Sequence, residues 1–293
     1  MKKFWITLLV LALVGTALAT AGFFLGASTN FYFDRSGFHM VKPGEGEKQE
    51  NMRLEEFGEV KIDTASAHIE IIEGDSYGIY IENNGSVKCE YRVKNGVLHV
   101  EQPHMFGVFL FNWRSGTDII KVYVPKGKTL QKADVDFASG KLDINGVGCD
   151  DIDVDMASGK SNISNLRAGK VKITYTSGTA TLENVTADNA KFEYMSGGLK
   201  MNGVTLKKLD IESTSGNADI EGAINGDIDI DMMSGSVKMA LDTPEKSFSK
   251  KIDKLSGSVK INGEQAHTEK DGSAPYELDI DITSGSVNID FKK

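Results

Sequence analysis

A Ser-Gly dipeptide that returns every 19 residues is the feature that most constrains how this chain of 293 residues can fold. The regular copies are Ser139-Gly140, Ser158-Gly159, Ser177-Gly178, Ser196-Gly197, Ser215-Gly216 and Ser234-Gly235. Two further copies follow at Ser256 and Ser284, after longer spacings. A fixed period of about 20 residues is typical of solenoids, in which each repeat forms one coil.

The residues around each dipeptide predict the structure of one coil. The residue four positions before the serine and the residue five positions after it are apolar in every copy. They are Val135, Val154, Ile173, Phe192, Ile211, Ile230, Ile252 and Ile280, and Ile144, Ile163, Leu182, Met201, Ile220, Met239, Ile261 and Ile289. Between them apolar and polar residues alternate, which indicates strands with one buried face.

We therefore predict an all-β fold, a parallel β-solenoid of about eight to nine coils with right-handed winding. Antiparallel hairpins could contain the same turns, but they would not require repeats of equal length. The Ser-Gly residues named above are predicted to be structural turn residues, in which glycine permits the backbone conformation of the turn. A second, Asn-Gly-like turn recurs at Asn145, Asn202 and Asn262.

A first coil is predicted earlier in the chain, where Ile62 to Ile71 matches the repeat with Ser66 and Ala67 in the Ser-Gly places. The segment that follows, up to about residue 130, contains hairpin signals at Asn84-Gly85 and Asn95-Gly96 and predicts a β-rich cap over that coil. Two insertions, Asp242 to Lys251 and Gly263 to Pro275, are predicted on one corner. They are either tolerated surface loops or loops that bind a partner.

The N-terminus carries a membrane signal. Residues 4–25 are almost entirely apolar, and as a helix they would span the hydrocarbon core of a bilayer. A cleaved signal peptide is the alternative, with Ala17-Leu18-Ala19 as the cleavage site, but the apolar stretch continues beyond it. Lys2 and Lys3 before the span orient the rest of the chain outward. We expect a single-pass cell-membrane protein with an extracytoplasmic C-terminal region.

The predicted organisation has four parts. Residues 1–28 form the transmembrane anchor and residues 29–58 a juxtamembrane linker. Residues 59–130 contain the first coil and the cap, and residues 131–293 contain the Ser-Gly solenoid.

Composition argues against nucleic-acid binding and catalysis. The net charge is −9, whereas a nucleic-acid-binding surface needs clustered positive charge. A serine nucleophile needs a nearby base, and none of the 5 histidines lies between His104 and His267. We predict no enzyme, no catalytic residue, no cofactor and no metal.

Acidic residues recur three positions before most of the serines. They are Asp136, Asp155, Glu193, Glu212, Asp231, Asp253 and Asp281, and Thr174 interrupts the series. Calcium could bind stacked carboxylates, but the nonapeptide of calcium-binding β-rolls is absent. A solvated face, partly neutralised by Lys172 and Lys191, is the favoured interpretation.

The cysteines Cys89 and Cys149 could form a disulfide in an exported protein, although unpaired burial is favoured. An apolar stretch, His104 to Gly116, could pack on the end of the solenoid or contact a partner or a membrane. The residues predicted to bind a partner are Phe106, Phe109, Phe111, Trp113 and Phe248.

The lysine-led span, the IIKVYVPKG strand and the repeated Ser-Gly units together resemble a bacterial adhesin-type family with β-strand repeats, a domain of largely unknown function. The resemblance covers about Val60 to Lys293. It implies a Gram-positive-type surface protein with a β-solenoid body, and some members of the family look like regulators of cell-envelope stress. It supplies no catalytic residues.

Two functions remain open. The first is a membrane-tethered, non-catalytic scaffold that binds an extracellular or cell-wall partner. The second is an envelope-stress regulatory module that binds a membrane signalling protein. An enzyme that cleaves carbohydrate ranks third, because no insert that would form a cleft is evident.

Overall fold

The computed structural model describes residues 31–34, 37–40, 47–84, 88–102, 117–269 and 271–292. These residues form sixteen strands and one short 3-10 turn, Glu245–Ser247. The strands are β1 (Phe31–Asp34), β2 (Gly37–Met40), β3 (Glu47–Asn51), β4 (Glu59–Gly74), β5 (Gly78–Asn83), β6 (Glu90–Lys94), β7 (Val97–Glu101), β8 (Asp118–Pro125), β9 (Thr129–Asn145), β10 (Gly148–Ile224), β11 (Ile228–Leu241), β12 (Phe248–Lys254), β13 (Ser258–Ile261), β14 (Glu264–Gln265), β15 (Tyr276–Ile282) and β16 (Ser286–Phe291). β1 and β2 form a separate hairpin.

The middle of the chain is a stack of parallel coils. β9 pairs with β4, β10 with β9 and β11 with β10, all in parallel. The registers are one repeat apart, as in the pair Val154 and Val135. β10 continues for 77 residues and passes through several coils without leaving the sheet. The prediction of an all-β, solenoid-like stack is confirmed in these respects.

The interior of the stack is apolar. All sixteen aliphatic, aromatic and methionine side chains that the repeat predicts to point inward are buried, with exposed fractions of 9% or less. Equivalent residues lie above one another along the stack, so each coil buries its apolar face against the coils on both sides. This burial is the main stabilising contribution to such a fold.

The Ser-Gly corner requires glycine because neighbouring coils approach closely there. Gly159 has φ of 141°, and a Cβ added to it would lie 2.5 Å from the carbonyl oxygen of Gly140. The same contact joins Gly178 to Gly159 and Gly197 to Gly178. The serines are exposed in all eight copies. The glycines of this corner therefore have a structural role in the stacking of the coils, while the role of the serines stays a prediction.

The second corner also has a left-handed residue in most coils. In four successive coils this position is Gly146, Asn165, Asn184 and Gly203, with φ between 53° and 78°. The asparagine side chains form a ladder along the stack. The Nδ2 of Asn184 donates to Oδ1 of Asn165 at 3.1 Å, and the Nδ2 of Asn165 donates to Oδ1 of Asn145 at 3.0 Å.

At the N-terminal end a further coil lies outside the first one. β7 and β8 both run parallel to β4, pairing with its first and second halves respectively. Beyond them the sheet is closed by antiparallel strands, because β6 pairs with β7, β5 with β8 and β3 with β5. Asn95 and Gly96 have left-handed backbones and make the turn between β6 and β7. The hairpin predicted at Asn95-Gly96 is observed, whereas β5 and β6, the strands before and after Asn84-Gly85, pair with other strands. β7 and β8 lie beside the first coil, where the cap was predicted.

At the C-terminal end the order of the coils differs from the order of the chain. β15 and β16, the last strands, pair in parallel with β11. β12 and β13, which precede them in sequence, pair with their outer side. The C-terminal coil is therefore inserted between two coils that are earlier in the chain.

Lysines in the outer coil explain this order. Lys254 is in register with Ile282, and Lys250 is in register with Leu278, at two positions that point inward in the other coils. An inner coil has apolar neighbours on both sides and cannot accommodate two charged groups there. In the outer coil Lys254 is exposed, and the Nζ of Lys250 contacts Glu245 at 2.5 Å and Glu269 at 3.1 Å.

The second predicted insertion is not a free corner loop. Its residues 264–269 run along the free edge of the outer coil and form hydrogen bonds with the backbone of that coil. β14 pairs with β13, and Lys250 and Glu269 exchange backbone hydrogen bonds of 2.8 and 2.9 Å. Thr268 also bonds both the N–H and the C=O of Ile252. The segment covers an edge that would otherwise be open to another strand.

Both cysteines are buried and unpaired. This confirms the favoured interpretation and leaves no disulfide between the cap and the coils. Within the described ranges no helix is long and apolar enough to cross a membrane. The predicted anchor at residues 1–28 lies outside the described residues.

Candidate binding face

The first strand of each coil, before the Ser-Gly corner, presents its outward side chains on one flat face. The positions are three and five residues before each serine, and we call their surface the acidic face. Its acidic members are Asp134, Asp136, Asp153, Asp155, Glu193, Asp210, Glu212, Asp229, Asp231, Asp279, Asp281 and Asp253.

The pairing registers place these carboxylates in rows along the stack. Asp136 lies beside Asp155, and Asp134 lies beside Asp153. Adjacent strands are about 4.8 Å apart, so each row holds like charges at close spacing. The predicted acidic ladder is therefore present, and a second row two positions earlier accompanies it.

Crowding perturbs the ionisation of this face. Partial burial raises the pKa of Asp136, and the neighbouring Asp134, Asp155 and Asp63 raise it further. Partial burial also raises the pKa of Asp231, with Asp281 as the strongest charged neighbour. Loss of hydration and repulsion by neighbouring carboxylates act in the same direction here, because both disfavour the charged form and so raise the pKa.

The crowded carboxylates form two clusters, a first one around Asp136 and a second one that contains Asp231 and continues through Asp229. Its pKa is raised by partial burial and by Asp210 and Asp279 on either side of it. The cluster thus extends over consecutive coils, from the Ser215 coil to the inserted C-terminal coil. Lys251 also lies in this cluster, with its Nζ 2.7 Å from Asp279 and 3.9 Å from Asp253.

A lysine divides the acidic face in the middle of the stack. The Nζ of Lys191 contacts Glu193 at 3.1 Å, Asp210 at 3.5 Å and Glu212 at 2.5 Å. These contacts raise the pKa of Lys191, the bond to Glu212 being the largest cause. Burial raises the pKa of Asp153, and the positive charge of Lys172 opposes this rise. The neutralising contacts predicted for Lys191 are observed, and Lys172 lies on the same face.

The acidic face shows no metal centre. Within the described part of the chain, no three histidine, cysteine or acidic side chains come together in a set that could hold a metal ion. The rows are flat, whereas calcium is held by six to eight oxygens that surround it.

Apolar side chains are exposed beside the acidic face, on the Ser-Gly corner itself. Met195, Met233 and Leu255 directly precede their serines and are 57%, 59% and 85% exposed. The equivalent residues in the other coils are alanine or threonine. This row of residues was not predicted, although the sequence shows it as the position before each serine.

Of the five residues predicted to bind a partner, the structure describes only Phe248. Phe106, Phe109, Phe111 and Trp113 lie outside the described residues, so their role stays a prediction. Phe248 is 3% exposed, and its ring packs against those of Tyr276 and Phe291, with centroids 5.7 and 5.6 Å apart. Its prediction as a contact residue was wrong, because the ring closes the core of the outer coil.

A second polar cluster lies on the other face, at the first coils. The Nε2 of His68 is 2.8 Å from Oδ2 of Asp143, which also contacts Lys141 at 2.6 Å and accepts from Asn162 through Oδ1 at 2.8 Å. These bonds lower the pKa of Asp143 against the opposing effect of its burial. The hydrogen bonds of this cluster link three successive coils. No serine, threonine or cysteine is among the side chains that form them.

Solved structures that resemble this chain include three bacterial proteins. A Bacteroides fragilis protein described as a "putative adhesin" matches with a TM-score of 0.54 at 16% identity, over 84% of this chain and 98% of that one. A Parabacteroides distasonis protein described as a "putative lipid binding protein" matches with a TM-score of 0.42 at 16% identity, over 85% and 98%. A "putative adhesin" of the same species has a TM-score of 0.41 at 13% identity, over 84% and 98%.

No curated protein matches the sequence. The family comparison does give a match, since a family model described as Toastrack DUF4097 aligns with residues 57–290, which contain the coils, the cap and the acidic face. The chain therefore belongs to the Toastrack DUF4097 family.

Proposed function

We propose that this protein is a non-catalytic binding scaffold, tethered to the cell membrane by residues 1–28 and displaying its coils outside the cell. The observation that carries the proposal is the flat face formed by outward side chains in register along the stack. Solenoids commonly bind through such extended surfaces. The adhesin descriptions given to the neighbours of this fold agree with a role in surface binding.

The negative charge of the acidic face favours contact with a positively charged partner. Rows of carboxylates with a lysine between them favour an elongated partner that carries positive charges, and an anionic membrane surface would be repelled. The exposed methionines and Leu255 add apolar contact area at one border. A cell-wall component or an extracellular protein is the proposed partner.

The test compares variants of two faces. Cells displaying the full-length protein are incubated with purified cell wall and with neighbouring cells, and retention is measured. Asp229→Lys/Asp231→Lys reverses charge on the acidic face, and Asn217→Lys/Asp219→Lys adds lysines on the opposite side of the Ser-Gly corner. We expect loss of retention in the first variant alone. Equal retention by both variants and the parent contradicts the proposed use of this face.

Tethering is tested separately. Membranes are isolated from cells that express the full chain and washed with high salt and with carbonate. We expect the protein to stay with the membrane, and deletion of residues 4–25 to release it. Recovery of a shortened chain that begins after Ala19 in the medium would instead indicate a cleaved signal peptide.

The regulatory alternative predicts a different outcome. Residues 104–116 would then provide the contact with a membrane signalling protein. Their deletion would abolish co-purification with membrane proteins and leave retention on cell wall unchanged. Loss of retention with unchanged co-purification would favour the scaffold.

A further inference from the structure

We propose that the C-terminal coil, β15 with β16, is a releasable insert, and that on its release the outer coil, β12 with β13, docks directly onto β11. The molecule would thus have two arrangements of its last coils. The inserted arrangement follows the observed pairing, and the sequential arrangement follows the order of the chain.

The inserted coil lies between two surfaces that fit each other. Val237 is in register with Val287, and Val287 is in register with Val259. The three strands share the sequence Ser-Gly-Ser-Val, beginning at Ser234, Ser256 and Ser284. Removing the middle strand pair would leave two near-identical neighbours facing each other with matching donors and acceptors.

The register of the sequential arrangement can be stated residue by residue. With its Ser-Gly corner aligned on that of β11, the outer coil would place Ile252 on Ile230 and Ile261 on Met239. Its two lysines would still face away from any further coil, because the outer coil would remain the last one. The covering segment 264–269 bonds only to the outer coil among the contacts described, and it would move with that coil.

Chain connectivity permits the movement. β15 and β16 are the last of the described strands, so no described strand has to pass through a loop when they leave. The spacing of 22 residues between Ser234 and Ser256 exceeds the regular repeat by three residues, which is enough chain to close one coil. The exchange therefore needs no broken covalent bond.

Opposing contributions set the balance between the arrangements. Insertion buries five aliphatic side chains completely, Leu278, Ile280, Ile282, Val287 and Ile289. It also places Asp281 in register between Asp231 and Asp253, where like charges are stacked. Burial outweighs this repulsion, so the inserted arrangement is the main one and the sequential arrangement is a minor state.

Disulfide trapping in the full chain distinguishes the two. Lys238, Asn288 and Lys260 are consecutive in register, so Lys238 and Lys260 are two coils apart, or about 9.6 Å, beyond the reach of a disulfide. In the sequential arrangement they become direct neighbours. Lys238→Cys/Lys260→Cys therefore reports release, and Lys238→Cys/Asn288→Cys reports insertion. The two natural cysteines are buried and stay in place.

Ile280→Ala and Ile280→Asp weaken insertion, and Ile252→Asp is the matched change in the outer coil. Under mild oxidation we expect Lys238→Cys/Lys260→Cys to crosslink at least about tenfold faster with either change at Ile280, since losing one buried aliphatic contact exceeds the free energy of a tenfold change. Ile252→Asp should give no acceleration, because it weakens the coil that must dock.

The proposal is overturned if the 238–260 pair crosslinks no faster with Ile280→Ala while circular dichroism shows a folded chain and the 238–288 pair still crosslinks. It is also overturned if Ile252→Asp accelerates the 238–260 crosslink as much as Ile280→Asp does, because general unfolding would then be the cause.

Discussion

At the residue scale, the Ser-Gly corner shows how the distance between coils fixes residue identity. A Cβ added to Gly140 would lie 2.1 Å from the carbonyl oxygen of Ala67. A Cβ added to Gly235 would lie 2.0 Å from the carbonyl oxygen of Gly216. Ala67 itself occupies the glycine place in the coil on which the regular stack begins. Glycine is therefore required for two reasons. The neighbouring coil leaves no room for a Cβ, and the backbone conformation is left-handed.

Gly159→Ala is expected to destabilise the protein by about 2–3 kcal/mol, because it adds a Cβ at a left-handed φ and against a backbone carbonyl. Urea denaturation measures the free energy of unfolding. Gly272→Ala is the control, since a Cβ there meets nothing within 4 Å. Equal stability of the two variants would contradict the close stacking at the corner.

The buried thiols give a second prediction at this scale. Burial raises the pKa of both Cys89 and Cys149 to about 12, so almost no thiolate exists at pH 8. We expect a thiol reagent such as Ellman's reagent to label neither cysteine in the folded protein and both after unfolding in urea. Rapid labelling of Cys149 in native protein would contradict its position inside the stack.

At the element scale, the outer coil differs from the other coils in the residue at one inward position. Six of the regular coils have an inward residue two positions before the serine, and these are Phe137, Met156, Tyr175, Tyr194, Ser213 and Met232. β12 has Lys254 there, while β15 has Ile282. This contrast, together with Lys250 at the position of Leu278, places β15 inside and β12 at the end.

The coil order predicts unequal costs for equal substitutions. Ile280→Ala removes a fully buried side chain with a coil on each side, and it is expected to cost about 3–4 kcal/mol. Ile252→Ala, in the outer coil at 9% exposure, should cost about 1–2 kcal/mol less. Urea denaturation of both variants measures the difference. A larger cost for Ile252→Ala would indicate that the coils stack in chain order.

The sequence predicts the regular elements well, because each inward position repeats and chance cannot produce sixteen apolar matches. It predicts the acidic face for the same reason. It does not predict the exchanged coils, because the inserted and sequential orders share the Ser-Gly-Ser-Val pattern. Lys250 and Lys254 indicate that their coil is the outer one, because they occupy inward positions. The sequence alone does not show that these positions point inward until the order of the coils is known. Burial of Phe248 depends on the same order, through its contacts with Tyr276 and Phe291.

At the scale of the whole molecule, the acidic face links stability to pH. The pKa values of Asp136, Asp153, Asp229 and Asp231 are raised in the folded state. A raised carboxyl pKa favours folding most at low pH, and that contribution is lost as the pH rises through the folded-state value. Asp143 acts in the opposite sense, since its pKa is lowered and its contribution is lost only at more acidic pH.

We therefore expect a higher Tm at about pH 5 than at about pH 8, with a smaller difference at high salt, which screens the repulsion. Asp229→Asn/Asp231→Asn should reduce the difference by removing two of the crowded charges. Differential scanning calorimetry measures Tm in each case. A Tm that falls steadily from pH 8 to pH 5 in the parent would contradict the account of this face.

The order of the parallel coils, in which the last two are exchanged, defines the molecule as a whole. Spin labels at Lys160 and at one of Lys238, Asn288 or Lys260 measure it directly by electron–electron double resonance. With about 4.8 Å per coil, the backbone distances are expected to rise through about 20, 25 and 30 Å in that order. Position 260 would then be farther from 160 than position 288, although it comes first in the chain. A shorter distance to 260 than to 288, or three distances without regular steps, would contradict this order.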